Sequence, residues 1–173
     1  KHFRLLKDDS IEIDGVKLYR IEATRDIPQH DVAKGSKGGY IEKEDNLSDE
    51  AWVGGNAKVY GNAKVCGKAR ISDEVEVCGD AYICDRAIVL EDAKIFENAE
   101  VLGNAQVYGG ARVFGNAMIY GYAEVFGGTE VSGYVRVNNS VRLLGKAFVE
   151  SELYQACPDF KEAKETLLKV GEF

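Results

Sequence analysis

The sequence predicts an all-β protein: a parallel β-helix of about five to six triangular coils, with a β-hairpin cap at its N-terminus and a helix at its C-terminus. The first observation is a period of six residues, Ala-x-Val-x-Gly-Asn, which runs from Ala51 to Glu150 without an insertion or deletion. The second is alternation of apolar and polar residues within each unit. The third is a recurrent glycine near the end of the unit.

The alternation within each unit is that of a β-strand. The third position is aliphatic in all seventeen units and the first is alanine in thirteen, whereas the second is mostly polar. The first and third positions therefore point to one side and the second to the other. An α-helix would rotate this apolar stripe around its axis, because 3.6 residues per turn do not match a period of six.

The fifth position marks the bend between strands. It is glycine in eleven of sixteen units, and Asn or Asp often follows it. These residues tolerate the positive φ of a tight corner. Each unit is therefore one short strand and one bend, and three units make one coil. Coils stack roughly 4.8 Å apart, the spacing of paired strands.

The two ends of the array are not repetitive, and we expect both to act as caps. Residues 1–50 include Ile11–Leu18, which is typical of two strands around an Asp14-Gly15 turn. Residues 151–173 include an amphipathic pattern over 160–170, which predicts a helix that covers the last coil or docks on a partner subunit. Caps are needed because an exposed strand edge invites polymerisation.

The Gly-Asn-Ala-x-Val-x array over residues 51–150 resembles the hexapeptide-repeat superfamily, whose fold is a left-handed β-helix. The leader at residues 35–42, Gly-Ser-Lys-Gly-Gly-Tyr-Ile-Glu, followed by Leu47-Ser48, is similar to a Gly-Gly-aromatic-Ile-Glu leader that precedes such arrays in bacterial and phage proteins. The resemblance implies a left-handed coil. It also implies, as one role, a phage-encoded factor that binds and inhibits a bacterial defence protein.

Composition limits the partners and the compartment. The net charge is −7 with no basic patch, which argues against direct nucleic-acid binding. We expect neither a membrane span nor a signal peptide. Four cysteines without metal-ligand spacing predict a reducing cytoplasm. Cys66 and Cys84 lie eighteen residues apart and would stack on neighbouring coils, where we expect free thiols rather than a disulfide.

The array contains few groups for catalysis. Members of the resembled superfamily that transfer acyl groups use a histidine as general base, and those that hydrate carbon dioxide bind zinc through three histidines. This chain has only His2 and His30, both outside the array. We therefore predict no catalytic residue, no metal and no cofactor. An acyltransferase that uses acyl-CoA and depends on His30 stays as the alternative.

An acidic corner is predicted where two neighbouring coils bend. Asp73 and Glu74 share a corner with Glu91 and Asp92, eighteen residues further along the chain. Four carboxylates within reach would suit a divalent cation or a basic patch on a partner. Solvated turn residues are the other interpretation, and we favour it.

The fourth position of the unit should face outward, yet it often holds large apolar residues, which sort into three stripes with a period of eighteen. The first stripe is Leu90, Tyr108, Phe126 and Leu144, joined by Ile88. The second stripe is Tyr60, Phe96 and Phe114. The third stripe is Cys66, Cys84, Leu102 and Tyr120, joined by Tyr82, Met118 and Tyr122.

Apolar stripes of this length usually mark association surfaces, although stacked rings also stabilise one another. We therefore expect a dimer or trimer that packs through the first or third stripe and acts by binding a further protein. An oligomeric sponge for a small nucleotide is a weaker alternative, because its candidates Arg112, Arg136 and Arg142 fall on three faces.

Overall fold

A computed structural model describes residues 1–145 and the strand Phe148–Ser151. The prediction of an all-β solenoid is confirmed, with stacked parallel coils and about six turns. In this part of the chain the only helical segments are two 3-10 turns, Pro28–His30 and Glu44–Asn46. None of the described helical segments has the length and hydrophobicity of a membrane span. The helix predicted over 160–170 lies outside the described residues.

The N-terminal hairpin is confirmed and is longer than expected. Strand β1 (Phe3–Ile13) pairs with the antiparallel β2 (Val16–Ala23), and their register shifts between Leu6 and Ser10. Asp14 and Gly15 form the turn with φ of 50° and 79°, which matches the hairpin turns that need positive φ at both central residues.

Strand β3 (Lys37–Ile41) joins the hairpin to the solenoid. It runs antiparallel to β2 and parallel to β5, so the hairpin extends one sheet of the solenoid. Gly38 and Gly39 are buried here, and a Cβ on either would collide with the carbonyl oxygen of Val53 or Ala57. The glycines of the leader therefore allow the cap to lie directly on the first coil.

One short strand then follows in each unit of the array. The strands are β4 (Trp52–Val53), β5 (Lys58–Val59), β6 (Lys64–Val65), β7 (Arg70–Ile71), β8 (Glu76–Val77), β9 (Tyr82–Ile83), β10 (Ile88–Val89), β11 (Lys94–Ile95), β12 (Glu100–Val101), β13 (Gln106–Val107), β14 (Arg112–Val113), β15 (Met118–Ile119), β16 (Glu124–Val125), β17 (Glu130–Gly133), β18 (Arg136–Val137), β19 (Arg142–Leu143) and β20 (Phe148–Ser151).

Strands eighteen residues apart pair in parallel and form the three faces of the solenoid. We number the sheets by the stripe that follows their strands. Sheet 1 is β4-β7-β10-β13-β16-β19, sheet 2 is β1-β2-β3-β5-β8-β11-β14-β17-β20, and sheet 3 is β6-β9-β12-β15-β18.

The core is a narrow column of the first and third positions of each unit. Val89, for example, lies between Ile71 and Val107 in register, and all three are fully buried. All sixteen fifth positions of the array have φ between 56° and 88°, whether or not they are glycine. Corners therefore stack closely: a Cβ on Gly109 would lie 2.8 Å from the backbone nitrogen of Gly127.

Candidate functional site

The apolar residues on sheets 1 and 2 largely contact one another. The rings of Phe96 and Phe114 stack with centroids 4.8 Å apart, and the guanidinium of Arg112 lies 5.4 and 5.5 Å from them. Tyr108 and Phe126 stack in the same way at 5.0 Å. Stacking and the arginine cover part of these rings, so much of the second stripe and the centre of the first stripe are satisfied within the chain.

The rest of the first stripe is less evenly covered. Ile88 and Leu90 are half-buried, and Leu144 is 63% exposed. Arg142 lies over the Phe126 ring, with its guanidinium carbon 5.4 Å from the centroid. The exposed apolar surface of the first stripe therefore lies mainly at Leu144, at the C-terminal end of the described array.

The third stripe is more exposed on the sheet and at its corner. Leu102, Met118 and Tyr120 are half-buried, whereas Tyr82 is 37% exposed and Tyr122 is 68% exposed. Tyr122 stands at the corner that follows β15.

A further tyrosine borders the same sheet. Tyr134 is 56% exposed and lies at the opposite corner, just before β18. It occupies the sixth position of its unit, where the sequence otherwise favours Asn, Asp or Gly. This departure from the repeat is the sequence feature that could have indicated an exposed tyrosine here. Two exposed tyrosines therefore flank the outward surface of sheet 3.

Second-position charges pair between neighbouring coils on sheet 2 and at the C-terminal end of sheet 1, whereas Arg70 of sheet 1 lies between Trp52 and Ile88 and forms no ion pair within the described residues. Such ladders neutralise an outward face and hold successive coils together. The pairs are Glu76 with Lys94 at 3.3 Å and Arg112 with Glu130 at 2.8 Å on sheet 2, and Glu124 with Arg142 at 2.7 Å on sheet 1.

Sheet 3 does not follow this rule. Its second positions are Lys64, Tyr82, Glu100, Met118 and Arg136 in register order. An apolar residue separates each charge from the next, and none of the three charges forms an ion pair within the described residues. We call these residues, with Leu102, Tyr120, Tyr122 and Tyr134, the sheet 3 face.

Two cysteines on sheet 3 are joined. The Sγ atoms of Cys66 and Cys84 form a disulfide, with the Cα atoms 4.7 Å apart. The expectation of free thiols at this pair is wrong, and the coil spacing places the two residues within disulfide range. The inference of a reducing compartment from unpaired cysteines loses its basis. Cys78 is free and half-buried, and Cys157 lies outside the described residues.

At the acidic corner, two of the four carboxylates bind within the chain. The Asp73 carboxylate accepts the backbone N–H of Glu91 at 3.1 Å. The Glu74 carboxylate accepts hydrogen bonds from Asn56 at 2.7 Å and Lys58 at 3.1 Å, and these two contacts lower its pKa. Among the described residues no group of three or more His, Cys, Asp or Glu is placed to hold a metal ion.

The same contact recurs at other corners, and sequence reasoning missed it. The side chains of Asp49, Asp85 and Glu97 each accept the backbone N–H of the residue eighteen positions later, at 2.8–2.9 Å. Asp49, Asp73, Asp85 and Glu97 therefore have a structural role at the fifth position, because each bonds one coil to the next while its own φ is positive.

Both histidines hold the cap on the first coil. The Nε2–H of His2 donates to the carbonyl of Ala51 at 2.8 Å, and that of His30 donates to the carbonyl of Glu50 at 2.9 Å. Both rings are buried, and this burial is the largest cause of their lowered pKa values. The acyltransferase alternative depends on His30, and the structure shows that the Nε2 of this ring is hydrogen-bonded to a backbone carbonyl.

A tyrosine, a carboxylate and a thiol meet on sheet 2. The hydroxyl of Tyr60 donates to the carboxylate of Glu76, and Cys78 lies close by. Burial is the main reason why the pKa values of Tyr60 and of the Cys78 thiol are raised, so both groups stay protonated near neutral pH. Neither group is activated as a nucleophile.

An open cavity of about 700 Å³ lies beside the register shift of β1. Asp9 there pairs with Lys37 at 3.1 Å and with Arg20 at 3.3 Å, and the Lys37 contact is the main cause of its lowered pKa. The cations at this cavity are thus partly neutralised. The three arginines considered for a nucleotide sponge lie in three different sheets: Arg112 on β14, Arg136 on β18 and Arg142 on β19.

No protein-family model matches this chain, and no curated protein matches it.

Proposed function

We propose that this chain is a non-enzymatic, self-associating β-solenoid that acts by binding protein through the sheet 3 face. The observation that supports the proposal is the contrast between the three sheets. Sheet 2 and the C-terminal half of sheet 1 pair charges between coils and stack their rings, whereas the sheet 3 face interleaves unpaired charges with Tyr82 and Met118 and is flanked by exposed tyrosines. Aromatic residues and methionine are enriched at protein interfaces.

The first partner is a second copy of the chain. The sheet 3 face carries both charge signs and apolar groups on one flat surface, so it offers complementary groups to its own copy. Contact between two such faces would cover Tyr122 and Tyr134, the most exposed tyrosines of the described array. Removing apolar surface from water would stabilise the pair by about 25 cal/mol per Å² before the cost of association.

A second partner follows from the leader at residues 35–42. Its similarity to leaders of phage and bacterial hexapeptide arrays supports a role as a phage-encoded factor that binds and inhibits a bacterial protein, such as a defence component. A host protein retained by the wild-type chain, lost with a sheet 3 variant and bound again after purification of both proteins would support this role.

Light scattering after size exclusion tests the self-association. We expect the Tyr120→Ser/Tyr122→Ser variant to elute as a monomer at concentrations where the wild type is oligomeric. The matched control is Tyr108→Ser/Phe126→Ser, which removes two aromatic rings from the first stripe on sheet 1 and should leave the mass unchanged. If the control variant dissociates and the sheet 3 variant does not, the first stripe is the contact surface and the choice of sheet 3 is wrong.

A further inference from the structure

We infer that two copies pack their sheet 3 faces about a two-fold axis at the level of Met118 and Tyr120. The inference rests on the proposed self-association and adds its symmetry and register. A two-fold contact uses the same patch on both copies, so residue pairs across it are reciprocal. The order of charges along sheet 3 can therefore be tested against each possible position of the axis.

The charges beside Met118 are opposite in sign and equally distant from it. Glu100 lies one coil before Met118 and Arg136 lies one coil after it, in register on sheet 3. A two-fold axis that lies between the two faces and runs along the strands at Met118 brings Glu100 of one copy to the level of Arg136 of the other, twice. This rotation keeps the second-position column opposite itself, so Glu100 and Arg136 face each other directly.

Apolar groups fill the centre and the rim of the same arrangement. The rotation keeps each column opposite itself, so Met118 of one copy faces Met118 of the other and Tyr120 faces Tyr120. It also brings Tyr122 of one copy beside Tyr122 of the other, at the corner that follows β15. Tyr122, which is 68% exposed, is thereby covered at one rim.

Neighbouring positions of the axis fit less well. An axis at Glu100 places the two Glu100 carboxylates at one level and brings Lys64 to the level of Arg136, so like charges meet. An axis at Tyr82 pairs Lys64 with Glu100, but it brings Arg86 of one copy beside Arg86 of the other at the corner that follows β9, so like charges meet. Of these three positions, the axis at Met118 combines paired charges with a tyrosine at the rim.

Charge exchange tests this register in the full chain. We expect Glu100→Arg alone and Arg136→Glu alone to weaken the dimer about tenfold or more, as measured by sedimentation velocity, because each places like charges together. The double variant Glu100→Arg/Arg136→Glu should restore the dissociation constant to within about threefold of the wild type. Lys64→Glu is the control and should leave it unchanged, since Lys64 lies three coils from Met118.

Each other result contradicts the inference in a distinct way. A double variant as weak as the single variants, in a chain that still dimerises, overturns the Glu100–Arg136 contact and leaves self-association standing. If Lys64→Glu abolishes the dimer and Arg136→Glu has no effect, the two-fold axis lies at Tyr82 and the position at Met118 is wrong. A wild-type chain that is monomeric overturns both the inference and the proposed function. If a charge-reversed variant does not fold, the neutral variants Glu100→Gln and Arg136→Gln are measured instead. We expect them to weaken the dimer by a smaller factor.

Discussion

The imidazole Nε2 of His30 lies 2.9 Å from the carbonyl oxygen of Glu50, and this contact closes the N-terminal end of the solenoid. His2 makes the equivalent contact with the next carbonyl, that of Ala51. The Ala51 carbonyl is at the first position of its unit, which in later coils accepts an N–H from the preceding coil, as Ala69 does from Trp52, and no earlier coil is present to bond it. Side chains of the cap therefore replace the missing strand and prevent the open edge from pairing with another chain.

The two histidines predict that acid destabilises the fold. Burial lowers the pKa of both rings below 6.5, so the unfolded chain binds protons more readily than the folded chain. Their contribution is present above the unfolded pKa of 6.5 and is lost as the pH falls from there through the lower pKa values of the folded chain. Urea unfolding followed by fluorescence of Trp52, the single tryptophan, should show a lower midpoint at pH 5.5 than at pH 7.5.

Glutamine variants provide the control for this pH effect. His2→Gln and His30→Gln keep an N–H donor but do not titrate, so the double variant should lose most of the change between pH 7.5 and 5.5. An equal change in the wild type and the double variant would assign the pH effect to other groups. Carboxylates such as Glu44, with a pKa lowered chiefly by its hydrogen bond to Lys1, act at more acidic pH.

A pair of adjacent glycines tests the stacking of corners. Gly109 has φ of 69° and no room for a Cβ, whereas at Gly110 the nearest atom is a backbone oxygen 3.6 Å away and φ is not positive. Gly109→Ala should lower the free energy of unfolding by about 1–3 kcal/mol, and Gly110→Ala by less than about 0.5 kcal/mol. Equal effects in thermal unfolding would mean that corners are not held in the positive-φ geometry.

The disulfide should add stability because it ties two neighbouring coils. It joins Cys66 to Cys84 across eighteen residues of chain, for which loop-closure entropy gives about 3 kcal/mol. Reduction should lower the thermal midpoint of the wild type and leave the Cys66→Ser/Cys84→Ser variant unchanged. Mass spectrometry without reductant should show two hydrogens fewer than in the reduced chain, and a full complement of free thiols would contradict the bond.

Asn46 is a second residue of the cap whose substitution is expected to destabilise the fold. It is 1% exposed, and its Nδ2 donates to the carbonyl of Ala63 at 2.8 Å while its Oδ1 accepts the N–H of Lys43 at 2.9 Å. Asn46→Ala leaves buried backbone groups without partners and should cost about 1–3 kcal/mol of unfolding free energy. The exposed Asn56 is the control, and Asn56→Ala should cost less than about 0.5 kcal/mol. Similar costs in denaturant titrations would remove the role assigned to Asn46.

The inward half of the fold could be predicted because strict periodicity constrains it. Val89 stacks between Ile71 and Val107 as a period of eighteen requires, and the hairpin turn at Asp14 and Gly15 follows from local turn chemistry. These features depend on residues that are near in sequence or equivalent by repetition, so the pattern alone shows them.

Features that depend on unrelated segments could not be predicted in the same way. His2 is 49 residues from Ala51, and nothing in the array indicates that its ring completes the first coil. The Cys66–Cys84 pair could be placed on adjacent coils, but sequence does not give its oxidation state. The sequence did not indicate that the charges of sheet 3 lack ion pairs, because this becomes clear only by comparison with the ion pairs that the structure shows on sheets 1 and 2.

The central claim, that the chain associates through the sheet 3 face, is tested most directly by sedimentation equilibrium of the wild type. Measured from about 1 to 100 μM, the range of many specific complexes, the mass should rise from the chain mass of 19.0 kDa to twice that value. Tyr120→Ser/Tyr122→Ser should stay at the chain mass throughout. A wild-type chain that remains at 19.0 kDa at the highest concentration would contradict the account.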